Sequence, residues 1–221
     1  MVSLSGSAKI LGGGMVLAAA VLAGGCNANS GNSSGTAIGK SDSAACGLRT
    51  GLDSLLREHV VLALAATDSA LGGRNEEFSA AVASLDANSH ELSDAIGQVY
   101  GPDAGKSFYE LWNRHIGFFV DYTKAVAAKD ETAQNKSVED LIGYTNDFGA
   151  FIETATGGRL KKDAVAELVK THVVGLKGAV DAQANKDFAG AYTKERDAEK
   201  HMDTIGNVLT DAIVDQFPDR F

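Results

Sequence analysis

The sequence predicts an all-α protein, a six-helix bundle built from three repeated antiparallel helical hairpins. Three observations carry this. Apolar residues recur with period 3.6 in six separate stretches. The chain's two prolines, Pro102 and Pro218, both lie at segment ends. Three histidines, His59, His115 and His172, recur 56 and 57 residues apart in the same local frame of an apolar stripe. A fixed period of that size is the mark of a duplicated supersecondary unit.

Residues 1–25 read as an export signal. A single positive charge, Lys9, precedes an apolar stretch from Ile10 to Ala23, and small residues lead up to Cys26. That stretch is too short and too glycine-rich for a membrane span, so cleavage is expected. The run Leu22-Ala23-Gly24-Gly25-Cys26 is similar to a bacterial lipobox, with Ala23 where leucine is usual. The similarity implies a lipid anchor at Cys26, with the cell envelope or the outer membrane face as the location. Ordinary secretion is the alternative.

Residues 26–45 then form a Ser/Gly/Asn tether with almost nothing to bury, a composition that cannot offset its ordering entropy. Residues 46–221 are left as the folded domain, long enough for one core. Cys26 and Cys46 are the only cysteines. If Cys26 is lipidated, Cys46 is a lone thiol at the domain's edge. A Cys26–Cys46 disulfide would exclude lipidation.

The six stripes come in order. The first runs Leu52, Leu55, Leu56, His59, Leu62, Ala63, Ala66, and the second Phe78, Val82, Leu85, Leu92, Ile96, Val99. The third runs Phe108, Leu111, Trp112, His115, Phe118, Phe119, Tyr122, and the fourth Val138, Leu141, Thr145, Phe148, Ile152. The fifth runs Val165, Leu168, Val169, His172, Gly175, Leu176, Ala179, and the sixth Ala198, Met202, Ile205, Leu209, Ala212, Ile213. Breaks are expected at Gly72-Gly73, Gly101-Pro102-Asp103, Lys129-Asp130, Gly157-Gly158 and Asn185-Lys186-Asp187. Asn75, Asp103 and Asp163 are placed to cap the helices that follow. Short connections make neighbours antiparallel. One pseudo-threefold bundle and a four-helix bundle with a flanking hairpin both satisfy this pattern.

The segment from Leu52 to Phe221, with His59-Val60-Val61, Leu111-Trp112-Asn113-Arg114-His115-Ile116-Gly117-Phe118-Phe119, Ala155-Thr156-Gly157-Gly158 and Asp211-Ala212-Ile213-Val214-Asp215-Gln216-Phe217-Pro218-Asp219-Arg220-Phe221, resembles a helical domain of secreted bacterial proteins. In some of these it precedes stalk domains similar to the N-terminal domain of copper amine oxidases. The resemblance implies location and architecture, points to copper only by association, and transfers no catalytic residue.

In an antiparallel hairpin, residues equidistant from the turn stand side by side. An offset of 29 pairs His172 with His201, His59 with Asn88 and His115 with Tyr144. A polar layer is therefore expected at mid-height of an apolar bundle, with His59, His115, His172, His201 and the thioether of Met202 as candidate metal ligands. Neutral imidazole suits Zn, Cu, Fe and Ni, and bundles build such sites from inward side chains. The thioether favours copper. Haem b is an alternative cofactor, and a hydrogen-bonded structural layer is the non-functional alternative. His90 falls off its stripe and is expected on the surface.

Other chemistries find little support. No Glu-x-x-His, Cys-x-x-Cys-His or Gly-x-Ser-x-Gly occurs. Gly39-Lys40-Ser41 and Gly105-Lys106-Ser107 lack the first P-loop glycine. No catalytic constellation is visible, so an enzyme is not expected. The net charge of −9 becomes −10 once Lys9 leaves with the signal, which disfavours nucleic acid as a partner.

Overall fold

The computed structural model describes residues 40–221. It is all-helical, with α1 Lys40–Leu71, α2 Asn75–Tyr100, α3 Pro102–Ala128, α4 Glu131–Ala155, α5 Lys162–Ala184 and α6 Phe188–Gln216, and there is no strand among the described residues. α1 begins inside the stretch whose composition reads as tether, where Ala44 and Ala45 are strong helix formers. No described helix is long and apolar enough to cross a membrane.

Each helix packs on its neighbours in sequence, and α6 returns to pack on α1. The odd-numbered helices α1, α3 and α5 also touch one another. The result is a closed ring of six with three inner helices, which excludes a four-helix bundle with a hairpin on its flank. Leu56, Val60, Leu92, Trp112, Tyr122, Leu141, Val173, Leu176 and Met202 are among the buried side chains of one continuous core. They are members or near neighbours of the six stripes.

The helix breaks fall at the expected residues. Four of the turns share one geometry. Gly73, Lys129, Gly157 and Lys186 each adopt a left-handed φ of 57–68°. Each donates its N–H to the carbonyl three residues back, and the following N–H reaches five residues back, a Schellman closure of the preceding helix.

Capping differs from expectation. Asn75, Asp103 and Asp163 lie inside the first turns of their helices and cap nothing; the N-cap positions are Arg74, Gly101 and Lys161, and none makes a side-chain capping bond. Asp103 and Asp163 are left to act on the helix dipole. The side-chain caps belong to Asp130, which accepts from the Ala133 N–H at 3.0 Å, and Asp187, which accepts from the Gly190 N–H at 2.9 Å. A cap needs the residue just before the first helical one, a difference of one or two positions that breakers alone do not fix.

Candidate functional site

The three inner helices carry the three repeated histidines. His59 on α1, His115 on α3 and His172 on α5 are all buried, at 1%, 2% and 4% exposure. They meet near the centre of the bundle. The Nε2 atoms of His59 and His115 are 3.4 Å apart, and the His59 ring centroid lies 5.3 Å from that of His115 and 5.9 Å from that of His172. Trp112 packs against both His59 (4.8 Å) and His115 (4.5 Å). Tyr144 stacks on His115 at 4.8 Å, the pairing expected across the α3–α4 turn.

The polar atoms here are poorly satisfied. Nδ1 of His59, Nδ1 of His115 and both ring nitrogens of His172 are buried with no hydrogen-bond partner among the described residues, as is Nε1 of Trp112. Buried polar atoms are ordinarily paired, so such a concentration calls for an explanation. Burial, first, and the neighbouring imidazole, second, push the pKa of His59 well below its ordinary value. Burial and then His172 bring His115 down to about 3, against a small opposing pull from the nearby Trp112 carbonyl, which makes no hydrogen bond of good geometry. Burial, His59 and His201 bring His172 to about 3. All three rings are therefore neutral over the physiological range, with lone pairs unprotonated.

One of the expected candidates is turned away from the others. His201 is half-buried, and its Nε2 lies 2.8 Å from the Leu168 carbonyl, one turn before His172 on α5. The offset of 29 thus places it on the correct neighbouring helix, but the ring is turned to the backbone. Asn88 does the equivalent in the first hairpin, with Nδ2 donating to the Leu55 carbonyl at 3.0 Å, one turn before His59. Met202 is buried at 1% exposure. It lines a small void of about 30 Å³ shared with His115, His172, Trp112 and Tyr144. His90 is exposed and stacks on Tyr109 at 4.3 Å. Among the described residues, no group of three or more His, Cys, Asp or Glu side chains is arranged to hold a metal ion.

A second feature was not legible in the sequence. A cavity of about 210 Å³ lies among α1, α2 and α3, with His59 and His115 on its wall and apolar residues such as Ala63, Phe78, Val82 and Phe119 around them. Its space comes from Ala63, Ala66 and Ala70, small residues spaced along one side of α1. That spacing was the available signal.

At the domain's edge, Cys46 in α1 is disulfide-bonded. The chain's only other cysteine is Cys26, which lies outside the described residues, as do the export signal and most of the tether. No family model, curated protein or solved structure matches this chain.

Proposed function

We propose that this chain is an exported module, three copies of one helical hairpin, whose buried histidine layer binds a single transition-metal ion, Cu(I) in preference to divalent ions. The threefold repeat is supported by three of the four Schellman turns, those at Gly73, Lys129 and Lys186, whose 56- and 57-residue spacing matches that of the histidines. It is supported again by Asn88 and His201, which occupy corresponding places and bond corresponding carbonyls.

One observation carries the metal reading: two neutral, buried imidazoles with Nε2 atoms 3.4 Å apart. Two nitrogens bound at about 2.0–2.1 Å to one ion, at a tetrahedral angle, stand about 3.3–3.4 Å from each other. His172, with both nitrogens unpartnered, is the nearest candidate for a third ligand. Charge selects the ion. The groups acting on the three histidines are other histidines and one carbonyl, with no carboxylate. Burying an uncompensated charge is costly, and the cost grows with the square of the charge, so a monovalent ion is favoured. Structural zinc sites are closed by four ligands, whereas Cu(I) accepts fewer, and the Met202 thioether nearby suits it.

Haem fits less well, since a cavity of about 210 Å³ is below the ~300–1,000 Å³ that holds even drug-sized ligands. A purely structural layer would have all its nitrogens satisfied; here the His59 and His115 Nε2 atoms face each other, but the four other ring nitrogens of His59, His115 and His172 have no partner among the described residues.

The lipobox-like run supports a membrane anchor at Cys26. The disulfide at Cys46 favours a second reading, a soluble secreted form, because a sulfur in a disulfide is not available for a thioether to lipid. Both readings place the domain outside the reducing cytosol. Mass spectrometry of protein extracted from its native host tests ion and anchor together. Under non-denaturing conditions the added mass of one copper per chain is expected. Under denaturing conditions an anchored chain is heavier by its acyl groups, and a disulfide-bonded one is lighter by two hydrogen atoms. A native mass without copper counts against the metal reading.

A further inference from the structure

The 210 Å³ cavity has one chemically distinctive place, the wall formed by His59 and His115. The only ionised side chain among its lining residues is Lys124, which is exposed. Thr123, another lining residue, already spends its hydroxyl on the Phe119 carbonyl at 2.8 Å. The cavity opens to solvent where the exposed Asn75, Lys124 and Ala127 line it, and its inner, apolar part offers an ordered water few of the two to four polar partners it needs. An anion or cation would lose its hydration against apolar walls for little return. A neutral apolar molecule has no such cost, and dry cavities of roughly 150 Å³ lined by aliphatic and aromatic side chains are known to take benzene.

Cu(I) has a filled d shell that donates electron density into empty π* orbitals, so it binds neutral unsaturated molecules that water-loving ions do not. Resting on the Cu(I) reading above, we propose that the cavity is a chamber for one small, neutral π-acceptor molecule, of the alkene or carbon monoxide class, that completes the coordination of an ion held by His59 and His115. The binding is simple coordination, with no bond broken and no electron transferred overall. The apolar walls around His59 and His115 disfavour anything charged.

Carbon monoxide is the probe. The full chain is loaded with Cu(I) without oxygen, its copper content is measured, and CO is titrated while the C–O stretch is followed in the infrared. One band is expected, saturating at one CO per copper. Ala63, one helical turn beyond His59 and part of the cavity lining, is then replaced by Phe to fill the space. Ala63→Phe should keep its copper and lose CO affinity at least tenfold, while Ala65→Phe, on the exposed side of α1, changes neither. Should Ala63→Phe lose its helical circular dichroism, Val120→Phe fills the same cavity from α3. A copper-loaded protein with no CO band, or with CO binding indifferent to the filled cavity, overturns the chamber while leaving the metal reading intact. Absence of copper overturns both.

Discussion

Acidification from pH 7 to about pH 4.5 is expected to unfold the apoprotein cooperatively. His115 and His172 have native pKa values of about 3, below the ordinary 6.5. As the pH falls through 6.5 the unfolded chain gains protons at these positions, and the native chain does not. Stability therefore drops progressively between 6.5 and about 3, by about 1.4 kcal/mol per pH unit for each histidine. At pH 4.5 the two together remove about 5 kcal/mol, comparable to the whole stability of many domains. His59, depressed in the same direction, adds to the loss. Asp53 and Glu195 act in the opposite sense, because burial raises both carboxyls and the native state protonates them earlier. Both are partly exposed, so their offset is the smaller effect. Urea denaturation followed by far-UV circular dichroism between pH 7 and pH 4.5 checks this. A constant midpoint across that range would show that the histidines are not buried as described.

The second large effect concerns His172, whose two nitrogens lack partners in the core. Replacing it with Leu, close in volume and wholly apolar, removes an unsatisfied polar group without opening a large cavity. His172→Leu should therefore stabilise the apoprotein by roughly 1–3 kcal/mol, observed as a rise in melting temperature of about 2–4 °C per kcal/mol for a domain of this size. It should also flatten the pH dependence above by one histidine's share. At the same time it should weaken Cu(I) binding at least tenfold, the usual exchange between stability and function at a strained site. A variant that is less stable and binds copper unchanged would place His172 among structural residues.

The bundle was largely legible because helix period and chain breakers are local properties. Leu52 through Ala66 or Phe108 through Tyr122 can be read as one face of a helix without knowing what covers it. The burial of His59, His115 and His172 was legible for a related reason, since each lies on the apolar stripe of its own helix. Two things escaped. Equidistance from a turn gives the height of a side chain, not its rotamer, so His201 lies on the expected neighbour of His172 yet turns to the Leu168 carbonyl. The cavity depends on Ala63, Ala66 and Ala70 facing Phe78 and Phe119 across two other helices, a relation that appears only once the ring closes. Whether α1, α3 and α5 would meet was likewise undetermined, because both candidate bundles contain the same three hairpins.

X-ray absorption at the copper edge, on full-length protein loaded with one equivalent of Cu(I), tests the metal centre most directly. A Cu(I) edge with two or three imidazole nitrogens near the ~2.0 Å usual for first-row ions is expected, with loss of that pattern in the His59→Ala, His115→Ala double variant. Copper that fails to bind in stoichiometric amount, or a ligand shell that survives the double substitution, would contradict the metal reading.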